Sequence, residues 1–477
     1  MRGASWVGLG HVVSQLCWFS SLLVLAAYVA PEAFGGVALA MVGLQVAWLV
    51  VGAGTRGSFV VTPVLGRAQV RRALIRNVGL GLLVAVGVAL LPRGAVDTLA
   101  PGADPLVLRV LFASVVLYAL AVVPLALLQK AMRFKQHALV HAMSAALASA
   151  GSVVAVVLGA GVWALVARQV AFQALLALLA WRWSRDLVPR PGTVGSPVRR
   201  GVAEGFAALA LISFLALNVD SVVIAHIGDI EGVGLYALAF TIAFAPMTQV
   251  AWQVGKVLFP AAAHSEPVAV AGRGLKAVRL AGLLMWPAAP LAVLLVPVVV
   301  PAVLGQDWRG MVVPLQVLVV AGSVHAVIAI LREFLLGRGV IGVSVRIEAV
   351  WLAGTTLALV PAVAWAGIEG AAVVHVASVV PLALAYARWG LPPLGLTAAD
   401  VGRALRPAAL VVMAEALGGA AMLVASRWVG LPDDAAWSLA ALTAAAGAAA
   451  VLGTVARPVL LEGRAALRSA RVPAGAR

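Results

Sequence analysis

A chain of 477 residues that is 63% hydrophobic and 11% charged, with a mean hydropathy of +1.06, cannot be a water-soluble globule, whose charged share is about 25%. The net charge of +16 raises nucleic acid as a partner, but the placement of the basic residues accounts for it without one. A single cysteine, Cys17, excludes an intrachain disulfide and a thiolate metal cluster.

Apolar runs long enough to cross a bilayer recur along the whole chain and predict an all-α polytopic membrane protein of about fourteen transmembrane helices. The first six spans run over roughly 6–30, 34–55, 77–91, 106–128, 138–158 and 162–182. The second six follow at roughly 202–227, 233–259, 277–303, 311–336, 343–366 and 368–387, and a final pair at 407–428 and 435–456. Met1-Arg2 ahead of an apolar segment ending Ala27-Tyr-Val-Ala30 has the outline of a cleaved leader. Its counterpart in the second half is internal, so a retained first helix is expected.

Placing the N-terminus in the cytoplasm puts nearly all Lys and Arg on one side. Arg93, Arg309 and Arg427 then lie outside, and Arg109 and Arg168 lie within spans. The positive-inside rule therefore predicts an even number of spans with both termini cytoplasmic. The excess charge is an orientation signal that also favours anionic membrane lipids as partners.

The spans repeat. Glu231-Gly-Val-Gly-Leu-Tyr-Ala-Leu-Ala, at the corner before the eighth span, echoes Glu32-Ala-Phe-Gly-Gly-Val-Ala-Leu-Ala before the second, at an offset of 199 residues. Gln45-Val-Ala-Trp48 recurs as Gln249-Val-Ala-Trp252, and Gly161-Val-Trp-Ala-Leu-Val is answered by Gly370-Ala-Ala-Val-Val-His. Six is even, so both copies enter the membrane in the same direction. Two six-helix lobes related by a pseudo-two-fold axis along the membrane normal are expected, plus a C-terminal helix pair. The boundaries follow: an N-terminal lobe at 1–184, a Pro-, Gly- and Arg-rich cytoplasmic linker at 185–200, a C-terminal lobe at 201–389, the appended pair at 390–456 and a basic cytoplasmic tail at 457–477.

Few residues inside the spans carry chemistry. Asp220 is a carboxylate in the seventh span, where it costs about 2.5–3.5 kcal/mol at the centre and persists where it faces a partner or a wet cavity. It lies about 10 Å from the outer end of its span and Arg168 about 9 Å from the start of its own, so the two are expected to pair. A static structural ion pair is the alternative to one that opens and closes. Asn218 points about 200° away from Asp220 and serves another neighbour. Gln45 and Gln249, related by the repeat, could hydrogen-bond a polar ligand in a cavity or neighbouring helices. Glu415 stands outside the repeat and would hold its helix against the core. Pro246 in the eighth span and Pro287, Pro290 and Pro297 in the ninth are hinge candidates, or fixed kinks. His137 and His141 share a helix face but lack a third ligand, so no metal site is expected. Without a Walker A sequence, a Gly-x-Ser-x-Gly elbow, a dinucleotide fingerprint or a large loop, neither an enzyme nor a cofactor is expected. A gradient of substrate, protons or sodium ions would then supply the driving force.

Four passages occur in an order that carries a resemblance. Arg133-Phe-Lys opens the fifth span, whose apolar run leads to Gly159-Ala-Gly-Val-Trp-Ala-Leu165. Asp220-Ser-Val-Val-Ile leads to Gly232-Val-Gly-Leu-Tyr-Ala-Leu-Ala. Gly305-Gln-Asp-Trp308 precedes the tenth span and Leu336-Gly-Arg-Gly339 follows it. Over about residues 30–390 the chain resembles the oligosaccharide flippases, the Wzx-type polysaccharide transporters. Their superfamily of multidrug, oligosaccharidyl-lipid and polysaccharide exporters also holds the lipid II flippases. Arg168 departs from that pattern, which usually shows a small or apolar residue there. The resemblance implies a flippase for polyprenyl-pyrophosphate-linked oligosaccharide repeat units in the bacterial cytoplasmic membrane. It further implies alternating access through a V-shaped cavity, and a polysaccharide polymerase or assembly machinery as partner.

An anionic head group needs cavity cations. Arg56, Lys256 and Arg332 lie near inner helix ends and Arg168 farther out, with snorkelling to lipid headgroups the alternative for the first three. Arg56 stands in Gly52-Ala-Gly-Thr-Arg-Gly, where backbone can approach a ligand closely. Two other functions compete. An ion-coupled drug or metabolite antiporter of the same fold would want several cavity acids, where Asp220 stands almost alone. A polytopic glycosyltransferase or polymerase could use Glu32 as a base, but Glu231 at the equivalent corner points to a turn residue.

Overall fold

The computed structural model of the protein describes residues 2–52, 55, 59, 62, 64–193, 195–196, 211–245, 267–338 and 340–469. All regular structure among these residues is helical. The first helices are α1 (Arg2–Tyr28), α2 (Pro31–Gly52), α3 (Arg67–Ala89), a short α4 (Arg93–Leu99), α5 (Pro105–Lys130), α6 (Phe134–Val157) and α7 (Trp163–Ser184). They are followed by α8 (Val219–Ile227), α9 (Ile230–Ala245), α10 (Pro267–Met285), α11 (Ala288–Leu304), α12 (Val312–Gly337), α13 (Ile341–Ala385), α14 (Ala398–Val429) and α15 (Asp433–Ser469).

Ten helical runs among the described residues are long and apolar enough to cross a membrane, and two shorter apolar helices, Val12–Tyr28 and Ile230–Ala245, accompany them. The protein is an all-α, multi-pass membrane protein. Its large apolar side chains often face outward, as at Leu83, Leu357 and Leu417 on helix flanks. Trp365 and Trp428 are about nine-tenths exposed near the ends of the spans expected at 343–366 and 407–428, where amphipathic rings sit at a bilayer interface.

Three breaks shape the helices. α13 would be far too long for one crossing of about 20 residues, and Ala366 and Gly367 leave helical geometry inside it, Gly367 at φ 55°. The two expected spans are therefore its two halves. Trp286 and Pro287 separate α10 from α11, because proline cannot continue the hydrogen-bond ladder of the preceding turn. The third break lies at Leu217–Asn218, where the sequence predicts an uninterrupted helix over 202–227. Asn218 Nδ2 donates to the Phe214 carbonyl at 2.8 Å, offering the backbone a side-chain partner in place of a ladder bond.

Two loops differ from expectation. The third helix starts at Arg67, so four arginines read as loop and helix end lie on α3, consistent with arginine's good helix propensity. The expected connection at Pro92–Pro105 contains α4, and Asp104 then caps α5 by accepting from the Leu106 amide at 2.8 Å.

The chain forms two compact units. The first contains the chain up to Leu238 with Val303–Gly310 and Glu348–Val374. Within it α1 packs on α6, and α5 is surrounded by α2, α3 and α7. Ala121, Leu125, Leu128, Val140, Leu176 and Ala180 form one of its cores. The Gly305-Gln-Asp-Trp308 passage belongs here: Trp308 is buried, meets Phe34 edge to face and donates from Nε1 to the Ala26 carbonyl at 2.9 Å. The second unit contains Ala239–Ala302, Met311–Ile347 and the chain from His375 on. In it α10 packs on α12 and α14, and α14 on α15.

Candidate substrate-path residues

The repeated corner is built from backbone. Gly35 near the start of α2 and Gly234 near the start of α9 are so close that a Cβ on Gly35 would fall 2.8 Å from the Gly234 nitrogen and strike the Ile230 carbonyl oxygen. A Cβ on Gly234 would strike the Pro31 carbonyl oxygen. Residues 31 and 35 become 230 and 234 under the offset of 199, so the contact is reciprocal: each glycine meets the repeat equivalent of what its partner meets. Only glycine allows this approach.

Asp220 lies in the first turn of α8, immediately after the break at Leu217–Asn218. Its Oδ1 accepts from the Ser221 amide at 2.8 Å, and the Tyr236 phenol of α9 lies beside the carboxylate. Asp220, Ser221 and Tyr236 are all buried. A carboxylate at a half-helix N-terminus is stabilised by the helix dipole, which gives Asp220 local support.

Arg168 turns elsewhere. Its guanidinium stacks on the Trp18 ring, 4.2 Å from the centroid, and Nη1 donates to Ser21 Oγ at 3.1 Å and to the Trp18 carbonyl at 3.3 Å. Ser21 Oγ also lies 3.1 Å from Ser149 Oγ on α6. The expected pairing with Asp220 is not formed, and among the described residues Arg168 has no carboxylate partner. A planar guanidinium can satisfy itself on an aromatic face and a carbonyl, which similarity of depth alone does not anticipate.

The remaining candidates are dispersed. Gln45 is half-buried on α2, one turn before Trp48, whose ring stacks on Tyr118. Arg332 on α12 approaches Glu333 at 4.0 Å. Pro287 lies at the α10–α11 break and Pro290 in the first turn of α11. Arg56, Pro246, Gln249 and Lys256 lie outside the described residues. Glu415 is buried on α14, with neither carboxylate oxygen hydrogen-bonded among the described residues.

Sequence reasoning missed several interior polar groups. Gln169 and Gln173, one turn apart on α7, are both buried, with Gln169 Nε2 and Gln173 Oε1 unpartnered among the described residues. Their i, i+4 spacing marked them as one face, but nothing in the sequence said which way that face turns. Glu348 is buried on α13, 3.4 Å from Ser213 Oγ.

The second unit contains an apolar groove of about 450 Å³. Trp286, Pro290 and Leu294 line it together with Val324 of α12, Leu423 of α14 and Trp437 of α15. Ser323 is the one hydroxyl in its lining. Such a wall suits hydrocarbon, with about 0.8 kcal/mol gained for each CH₂ buried.

Residues 24–313 match the family described as "Polysaccharide biosynthesis protein". The chain belongs to this family. It is 25% identical over 368 residues to the lipopolysaccharide biosynthesis protein WzxC of Escherichia coli (strain K12), covering 72% of this chain and 71% of that protein. It is also 25% identical over 264 residues to the succinoglycan biosynthesis transport protein ExoT of Rhizobium meliloti (strain 1021), covering 54% and 53%. In fold it is similar to the lipid II flippase MurJ in its inward closed conformation, with a TM-score of 0.72, 10% identity and coverage of 95% and 99%. A multidrug resistance MATE family transporter in an inward-facing conformation gives a TM-score of 0.61 at 16% identity, covering 80% and 94%. The family places the protein in polysaccharide biosynthesis.

Proposed function

We propose that this protein is a flippase that moves polyprenyl-pyrophosphate-linked oligosaccharide repeat units across the bacterial cytoplasmic membrane by alternating access, supplying polysaccharide biosynthesis. The observation that carries this reading is family membership over residues 24–313. The fold shared with a lipid II flippase and the apolar groove, whose chemistry suits an isoprenoid tail, support it. For the head group, Arg56, Arg168, Asp220, Lys256, Arg332, Gln45 and Gln249 are the proposed contacts, and Pro246, Pro287 and Pro290 the proposed hinges.

The reciprocal Gly35–Gly234 contact supports two lobes, 1–184 and 201–389, related by a two-fold axis along the membrane normal. On this reading 185–200 is the cytoplasmic linker, 390–456 the appended helix pair and 457–477 a cytoplasmic tail, with both termini inside. Anionic lipids and a polysaccharide polymerase or its assembly machinery are the proposed partners. An ion-coupled drug antiporter is the second reading. The likeness to a multidrug transporter favours it in fold, but at 16% identity that likeness reaches no further.

The deciding experiment follows fluorescent polyprenyl-pyrophosphate oligosaccharide in vesicles that contain only this protein. Label placed in one leaflet should become reachable by an impermeant quencher in the other. A protein that leaves the label in place but expels a cationic drug is an antiporter instead.

A further inference from the structure

His137 and His141 lie one turn apart near the start of α6, and both are half-buried. Their ring centroids are 4.9 Å apart, with the planes tilted by 43°. An imidazole nitrogen lies about 2.0–2.1 Å from a bound zinc ion and about 1.1 Å from its own ring centre. Two rings at a tetrahedral angle on one ion therefore have centres about 5 Å apart. The spacing of this pair is that of two imidazoles on a single metal. The i, i+4 relation is also the one by which a helix face presents two histidines to an ion.

Two ligands hold an ion weakly, and α6 carries no further His, Cys, Asp or Glu. Among the described side chains no group of three such residues could hold an ion, and the side chain of His11 lies outside them. The helix packed beside α6 offers the missing ligand. α1 packs on α6, and a Cβ on Gly10 of α1 would fall 2.7 Å from the Ala138 Cβ. Farther along the same two helices, Ser21 Oγ lies 3.1 Å from Ser149 Oγ. Both contacts join residues 128 apart, so α1 and α6 run parallel in one register. At that offset the residue after Gly10, His11, is level with Leu139, midway between His137 and His141. The faces agree as well. His11 stands two turns before Trp18, on the side of α1 that meets Phe172 of α7. His141 is in line with Ala145, Ala148 and Ser152, all buried on the side of α6 that its neighbours cover.

We propose that His137 and His141, with His11 of α1, bind one divalent transition-metal ion that ties the first helix of the chain to α6. Each imidazole binds through a neutral ring nitrogen, and water fills the fourth position. A ligand set made only of nitrogen favours zinc, copper or nickel over calcium and magnesium, whose ligands are oxygens. Half-exposed rings near a helix end give the ion an entry from solution. Of the cations nearby, Arg133 is neutralised by Asp186 and Lys135 is exposed, so screening limits their repulsion. The ion acts as a clamp. Gly10 on Ala138 is a close contact between small residues, and a coordinate tie one residue away fixes the register of the two helices. The site does not depend on what the protein carries.

The test uses full-length protein without a polyhistidine tag, in micelles, titrated with zinc chloride against a chromogenic chelator. The native protein should bind one equivalent, and His11→Ala, His137→Ala and His141→Ala should each weaken binding about tenfold or more. Zinc should raise the unfolding temperature of the native protein and leave that of the three variants unchanged, because a ligand of the folded state stabilises it. His226→Ala, on α8, is the control and should behave as the native protein. No binding by the native protein, or undiminished binding in both α6 variants, overturns the site. If those two lose the ion while His11→Ala keeps it at full strength, the tie to α1 is overturned. A second measurement needs no substitution. X-ray absorption at the zinc edge of the loaded native protein counts the imidazoles directly; three are expected, and two or fewer overturn the proposal.

Discussion

Gly35 of α2 and Gly234 of α9 touch backbone to backbone, and each is barred from carrying a Cβ by the carbonyl four residues before the other. The contact joins equivalent points of the two repeats, so its two sides should respond alike. Gly35→Ala and Gly234→Ala are each expected to cost about 1–3 kcal/mol through overpacking, and by similar amounts. Thermal unfolding in micelles measures both. One costly and one neutral substitution would show that the reciprocity is not energetic.

Arg168 and Asp220 should behave as independent sites. Arg168→Lys keeps a charge but loses the flat stack on Trp18, an expected loss of about 0.5–2 kcal/mol. Asp220→Asn changes the group beside Tyr236 and Ser221. A double-mutant cycle between them should give a coupling below about 0.5 kcal/mol, since they share no partner. A larger value would mean that they meet in another conformation.

Outside the membrane spans, Arg133 ties the turn before α6 to Asp186, donating from Nη1 at 3.0 Å and also from Nη2. The hydrogen bond from Arg133 holds the Asp186 carboxyl below its ordinary value of 3.8, aided by the guanidinium charge. A depressed carboxylate contributes stability that is present above the unfolded-state value and lost as pH falls through the folded one. Unfolding curves of the native protein should therefore lose a small increment below about pH 4, and Asp186→Asn should lack that step. Salt should weaken the increment, because Asp186 is exposed.

Beyond Asp186, the stretch leading out of the seventh helix is fastened again at Ser196. Gln69 accepts from the Gly66 amide through Oε1 at 2.9 Å and donates from Nε2 to the Ser196 carbonyl at 2.8 Å, while the Ser196 amide donates to the Val64 carbonyl at 2.9 Å. Gln69→Ala should expose Arg190 to trypsin several-fold faster without changing the unfolding temperature by more than a few degrees. An unchanged digestion rate would show that the Ser196–Val64 bond suffices.

Much of this architecture was legible in the amino acids because a bilayer leaves the backbone few choices. Long apolar runs marked helices long enough to cross a membrane, and the Glu-x-x-Gly corners, 199 residues apart, marked Gly35 and Gly234, which meet. The break at Asn218 was hidden, since an asparagine between apolar residues reads as one polar position on a helix until its amide is found on the Phe214 carbonyl. Arg168 was misjudged for a related reason. Depth along a span can be counted from the sequence, but rotation about the helix axis decides whether a guanidinium meets a carboxylate or an indole, and tertiary packing sets that rotation.

Trp308 has a consequence for how the molecule is made. Its slot against Phe34 and the Ala26 carbonyl belongs to a unit that also needs Glu348–Val374. At about 5–20 residues per second, the ribosome takes on the order of ten seconds to travel from the eighth helix to the last of those segments. During the first part of that interval, until Trp308 is made, the slot formed by the early helices lacks its indole, so their assembly must tolerate waiting, and a nascent chain stalled before Trp308 would offer quality-control factors an unfilled seam.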